Sequence, residues 1–158
     1  MLATHMLVLV IGWCIVHFLM LRFLKEKTLR MVCTAGIGLW AAAVLILTTF
    51  SRTPVLETRI QLVPFAGQDA YGAEQTIRGM IENAVMFFPL AGLLMGIFPK
   101  AKTWEFFLAG AIGSLCIELI QLITHRGITA TEDLIANTVG CALGVLVTLL
   151  FRKLIQRK

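Results

Sequence analysis

The chain has 158 residues, 58% of them hydrophobic and 15% charged, with a formal net charge of +5 and a mean hydropathy of +0.87. Soluble domains carry about 25% charged residues, so the composition excludes a soluble globular domain and leaves a membrane protein. The basic excess does not imply a nucleic-acid partner, because it sits in short segments between long apolar runs.

Five apolar segments, residues 2–21, 31–50, 83–98, 106–124 and 134–151, are predicted as helices. Each approaches the ~20 residues that cross a ~30 Å hydrocarbon core. The expected fold is all-α: a polytopic membrane helical bundle of five transmembrane helices, forming one domain over residues 1–158. The first segment lacks a basic residue ahead of it and is followed by a basic cluster. That pattern fits a retained helix rather than a cleaved signal. His5 and His17, in or beside it, read as packed or interfacial neutral imidazoles. Cys14, Cys33, Cys116 and Cys141 all fall inside apolar segments, where cysteine behaves as a small hydrophobe. No disulfide, metal site or cofactor is expected.

The connections on one side hold Arg22, Lys25, Lys27, Arg30, Lys100, Lys102, Arg152, Lys153, Arg157 and Lys158, ten of the 14 basic residues. The other side holds Arg52, Arg59, Arg78 and Arg126. The positive-inside rule makes the ten-residue side cytoplasmic, giving an N-out, C-in topology. The longest connection, residues 51–82, then lies outside. Its apolar knot Leu62-Val63-Pro64-Phe65 is expected to dock into the outer interface or to cap the bundle, with Gly79 to Glu82 leading into the third helix.

Of the five segments, only the fourth contains a Lys, Arg, Asp or Glu: Glu118. An intramembrane carboxylate is costly unless paired, protonated or wet, and marks a functional site. At a rise of 1.5 Å per residue it lies about 9 Å below Thr124. Helical spacing aligns Ala111, Ser114, Glu118, Gln121 and His125 on one stripe, and Asp133, Asn137, Gly140, Cys141, Gly144 and Thr148 on another. Small residues let helix backbones approach closely. The fourth and fifth helices are therefore expected to pack along their small ends and to converge at their polar ends on one outward pocket. Asn83, Arg126 and Arg52 can join it. A structural hydrogen-bond network and a functional site are equally good readings of Gln121, Asn83 and Asn137 alone; Glu118 with His125, Arg126 and Asp133 at the same end favours a functional site. Pro89 reads as a kink and Gly92-x-x-x-Gly96 as ordinary helix packing.

Two mechanisms follow. A binder would hold an anionic head group with Arg126 and Arg52 through bidentate hydrogen bonds, with Asn83, Gln121 and Asn137 lining the inner wall. A membrane enzyme acting on a lipid-linked substrate would use Glu118 or Asp133 as acid or base and His125 as proton partner. A divalent cation at Glu118, Asp133 and Glu132 stays open as an alternative, although hard cations want about six or more oxygens. A transporter would require an oligomer, since no inverted repeat is visible.

Gln61-Leu-Val-Pro-Phe65, Asn83 through Phe88-Pro89-Leu-Ala-Gly92, Ile117-Glu118-Leu-Ile-Gln121, Arg126 and Glu132-Asp133-Leu-Ile-Ala-Asn137-Thr-Val-Gly140 stand in an order that resembles the VanZ-like family of small bacterial membrane proteins. The resemblance covers about residues 50–150, with 1–30 an additional N-terminal helix and basic loop. Gln61 stands where the family more often has Asn, and Thr129, Thr131 and Glu132 replace an Asp-rich turn. The resemblance implies a protein of the bacterial cytoplasmic membrane that influences susceptibility to teicoplanin-type glycopeptides and lipoglycopeptides. Its partners would be membrane lipids, a lipid-linked cell-wall precursor or the lipoglycopeptide itself. The family supplies no catalytic assignment.

Overall fold

A computed structural model describes residues 2–54, 59–65, 72–126 and 128–156. Five long helices account for most of it: α1 (Leu2–Phe23), α2 (Glu26–Leu45), α3 (Ala73–Ile97), α4 (Thr103–Thr124) and α5 (Thr131–Gln156). A π-helical turn, Ile46–Phe50, extends α2. All five spans are long and apolar enough to cross a membrane. Their outer surfaces expose large apolar side chains such as Leu7, Val8, Leu39, Leu119 and Leu146. That is the surface a lipid-facing helix must present, because its backbone groups are already satisfied internally.

Two short strands, β1 (Arg59–Gln61) and β2 (Ile128–Ala130), pair in parallel with Gln61 opposite Ala130. They tie the α2–α3 connection to the α4–α5 connection at one end of the bundle, here called the strand end. The turns between α1 and α2 and between α3 and α4 lie at the other.

Helix α3 is the centre. Phe87, Leu90, Ala91 and Met95 join Val44, Phe106, Ile117, Cys141 and Val145 in one buried cluster. Trp40 of α2 stands edge-on to Phe87 and donates its indole N–H to the Met86 carbonyl at 2.8 Å. Helix α3 begins ten residues before the apolar segment read from the sequence. Its first turns, Ala-Glu-Gln-Thr-Ile-Arg, favour helix by propensity, and Arg78 pairs with Glu82 at 2.9 Å. Hydropathy marks where a helix enters lipid, not where its hydrogen bonds begin.

Helix α5 packs against α4 as expected, and more closely still against α3. Its glycines face α3 rather than α4. A methyl group on Gly140 would strike the carbonyl of Ala84, and one on Gly144 the carbonyl of Phe88. The pairing advances four residues on each helix, so α3 and α5 run parallel with their backbones nearly touching. Of the α5 stripe, Cys141 turns to α4, where it faces Gly110 and donates to the Phe106 carbonyl at 3.4 Å. Gly92 and Gly96 on α3 do make room for other helices, the first for His17 of α1 and the second for Cys33 of α2.

The apolar knot does not cap the bundle. Leu62 and Val63 are 76% and 66% exposed, and Phe65 turns back with φ 66°. Thr131 holds the segment by donating to the carbonyls of Gln61 and Leu62.

Candidate functional site

The polar residues that stood out in the sequence gather at the strand end. Glu118 is 5% exposed and Gln121 3% exposed on α4, and Asn137 is 3% exposed on α5. The electrostatic neighbours of Glu118 are Asp133, Arg52 and Glu132, and Asp133 is in hydrogen-bonding reach of Asn83 on α3. Four elements thus bring Arg52, Asn83, Glu118 and Asp133 together.

Each side chain is held from a different part of the fold. Strand β2 runs over Glu118: the Ala130 N–H donates to its Oε2 at 3.2 Å, and the Thr129 hydroxyl donates to its backbone carbonyl at 3.4 Å. Asn137 Nδ2 donates to the Ser114 hydroxyl, fully buried on α4, at 2.8 Å. Gln121 Nε2 donates to the carbonyl of Thr48 at 3.0 Å. That carbonyl belongs to the last turn of the α2 extension, where helix geometry leaves acceptors without intrahelical donors. Ser51 reaches back five residues to Ile46 there, which is the π register. Single π turns inside α-helices recur at functional sites.

Arg126 is anchored to backbone at the end of the α2 extension. Its Nη1 donates to the carbonyls of Phe50 and Arg52 at 3.1 and 2.8 Å, stapling the α4–α5 turn to the end of α2. His125 leaves the α4 stripe. It ends the helix in the left-handed conformation, φ 53° and ψ 34°, and is exposed. The Arg126 N–H then returns to the Gln121 carbonyl at 3.0 Å. Glycine is usual at this position because it bears no Cβ. Helical spacing carried through His125 therefore overshoots the stripe, which ends at Gln121.

Glu132 emerges as the residue whose weight the sequence understated. It is 6% exposed, and its Oε1 accepts from Gln61 Nε2 at 2.7 Å across 71 residues of chain. Among the described residues its Oε2 has no partner, as is true of Gln121 Oε1 and Asn137 Oδ1. Gln61 could have been suspected as a polar residue beside an apolar knot. Thr48 could not, since its backbone rather than its side chain receives Gln121. Among the described residues no group of three His, Cys, Asp or Glu is arranged to hold a metal ion.

Glu118, Gln121, Glu132 and Asn137 are buried, whereas Arg52 is exposed. Open space lies beside this cluster, in a cleft of about 730 Å³ between α1, the end of α2 and α3. Arg52 and Asn83 face both the cleft and the carboxylates, while Thr48 and Glu82 complete the cleft's polar edge.

A five-helix bundle with apolar outer faces and carboxylates buried at one end defines a multi-pass membrane protein with an internal polar centre. The sequence pattern of the VanZ/LLP1 family matches residues 6–152, nearly the whole chain, and the protein belongs to that family. Protein VanZ of Enterococcus faecium is 35% identical over 86 residues, an alignment covering 54% of this chain. The chain spans about half the length of that curated relative. No solved structure matches.

Proposed function

We propose that the protein sits in the bacterial cytoplasmic membrane with its N-terminus outside and its C-terminus inside. There it binds a lipid head group or lipid-linked cell-wall precursor at the strand end, and so alters susceptibility to glycopeptide and lipoglycopeptide antibiotics. The observation that carries this reading is the burial of Glu118 beside Asp133, Glu132 and Arg52 within a helix bundle. Buried ionisable groups in membrane segments are expensive and mark substrate or relay sites. A packing network alone would be built more cheaply from amides and hydroxyls. The ten basic residues on the opposite connections support the outward orientation of this end. Membership of the VanZ/LLP1 family and the likeness to Protein VanZ support the envelope role.

The proximity of Glu118 and Asp133 supports a second reading, a membrane enzyme that uses the pair as acid and base on a lipid-linked substrate. Both readings make the Glu118 charge essential. Glu118→Gln keeps an oxygen that can accept from the Ala130 N–H. The expected result is normal protein level and thermal stability together with loss of the teicoplanin-type susceptibility change seen on overexpressing wild type. A Glu118→Gln variant as active as wild type would return the carboxylate to a structural role. Release of a modified lipid by wild type but not by Glu118→Gln would select the enzyme.

A further inference from the structure

Acids outnumber cations at the strand end. Glu118, Glu132 and Asp133 stand within electrostatic reach of one another, and the exposed Arg52 is the cation in that set. The ion pairs formed among the described residues, Arg30 with Glu26 and Arg78 with Glu82, include none of these four. Three buried oxygens add to the imbalance. Glu132 Oε2, Gln121 Oε1 and Asn137 Oδ1 have no partner among the described residues. The two amide oxygens, and a carboxylate oxygen, can only accept. Each is set by the other end of its own group. Gln121 donates its amide nitrogen to the Thr48 carbonyl, which itself can only accept. Asn137 donates its amide nitrogen to the Ser114 hydroxyl, and Glu132 Oε1 is taken by Gln61. Gln121 lies about one turn beyond Glu118 on α4, and Asn137 about one turn beyond Asp133 on α5. The unpartnered oxygens therefore belong to the helix faces that carry the acids.

We infer that the strand end receives a primary ammonium group, held by the carboxylates of Glu118, Glu132 and Asp133 and by the amide oxygens of Gln121 and Asn137. The inference deepens the proposed function: it rests on that reading and names the part of the head group or precursor that is recognised. Charge selects a cation. Three carboxylates against Arg52 leave the site net negative, and the low dielectric of a buried site strengthens its pull on positive charge. Hydrogen bonding selects N–H. An ammonium brings three donors and no acceptor. A trimethylammonium group brings the same charge without a donor and would leave the buried oxygens unpaired, which is costly. Shape favours ammonium over guanidinium. The oxygens come from separate positions on two helices, which suits a compact charge better than a planar fork. Among the described residues no group of His, Cys, Asp or Glu is placed to hold a metal ion instead. Asn83 bonds Asp133 and also lines the cleft between α1 and α3, so the ammonium meets the acids from that side.

Native mass spectrometry of the detergent-solubilised protein, with two pairs of lipids that differ only at a nitrogen, tests this. Phosphatidylethanolamine and phosphatidylcholine with the same chains represent a head group. A polyprenyl-linked muropeptide with a free or an acetylated side-chain amine represents a precursor. Wild type should retain the ammonium-bearing member of one pair at least about tenfold better than its mate, since a site built for N–H donors rejects an analogue lacking them. The pair that shows the preference identifies the source. Glu132→Gln can still accept from Gln61 through its amide oxygen, but presents N–H where Oε2 stood. It should keep the wild-type unfolding temperature and lose most of the preference. Glu118→Gln should lose it as well, and serves if Glu132→Gln does not fold. Absence of an amine preference in both pairs would overturn the inference, as would a wild-type preference in both variants or tighter retention of phosphatidylglycerol than of either amine. No amine preference together with a folded but inactive Glu118→Gln would sink the ammonium site and leave the proposed function standing. An amine preference that Glu118→Gln loses while the susceptibility phenotype stays intact would instead overturn the proposed function and leave the ammonium site in place.

Discussion

Gln61 Nε2 donates to Glu132 Oε1 at 2.7 Å, joining the connection before α3 to the first turn of α5. The bond satisfies one oxygen of a residue that is 6% exposed and whose other oxygen has no partner among the described residues. It acts with the β1–β2 pairing and the Thr131 bonds to the Gln61 and Leu62 carbonyls to hold the strand end closed over Glu118.

Removing one partner of such a bond costs more than removing both, because a buried acceptor is left unpaired. Gln61→Ala should lower stability by about 1–3 kcal/mol. Gln61→Ala combined with Glu132→Ala should cost clearly less than the sum of the single changes. Equilibrium unfolding of the four proteins in mixed micelles gives the coupling directly. Strict additivity would show that the bond carries no energy.

Arg126 uses one nitrogen, Nη1, for both of these carbonyl partners, Phe50 and Arg52. A lysine ammonium can serve two acceptors from one nitrogen as well, so the planar fork is not what this position requires. Arg126→Lys should therefore remain close to wild type in susceptibility phenotype and melting temperature. Arg126→Met, which keeps the apolar stem and loses the donor, should loosen the α4–α5 turn, seen as faster hydrogen exchange at Arg126 and Ser51. A phenotype lost in Arg126→Lys would mean that the guanidinium meets a ligand instead.

The α3–α5 contact has no room for a side chain. Gly140→Ala places a methyl against the Ala84 carbonyl, which is backbone and cannot rotate away. Overpacking of this kind costs at least about 1–3 kcal/mol. Gly38 on α2 is the control: nothing lies within 4 Å of its added Cβ. There, alanine should be neutral or stabilise by up to about 1 kcal/mol, since glycine disfavours helix interiors. Thermal unfolding of both variants in detergent checks the pair. Equal melting temperatures would contradict the close backbone approach.

Topology is open to a direct measurement. In a background with Cys14, Cys33, Cys116 and Cys141 replaced by Ser or Ala, a cysteine at the exposed Val63 should react with a membrane-impermeant maleimide added to intact cells. One at Ala101 should react only after permeabilisation. The reverse pattern would invert the bundle and put the Glu118 end in the cytoplasm.

Five spans, a carboxylate stranded in the fourth, and glycines at four-residue spacing in the third and fifth were all determined by the sequence itself. Each is a local property: a transfer free energy summed over about 20 residues, or a repeat close to the helical turn. What the glycines pack against was not local. Helix faces in lipid choose partners by how closely two backbones can approach, and Gly140 and Gly144 meet the carbonyls of α3, not the small residues of α4. The end of the α4 stripe was likewise decided by the left-handed backbone at His125, which spacing alone carries past the helix terminus. Glu132 acquired its weight from Gln61, 71 residues away, and Gln121 found its acceptor in the backbone of a π turn. Sequence placed the polar groups at one end of the bundle; only tertiary structure buried Glu118 under β2 and left the open space beside it, between α1 and α3. Burial is set by long-range pairing, and no single segment of the chain encodes it.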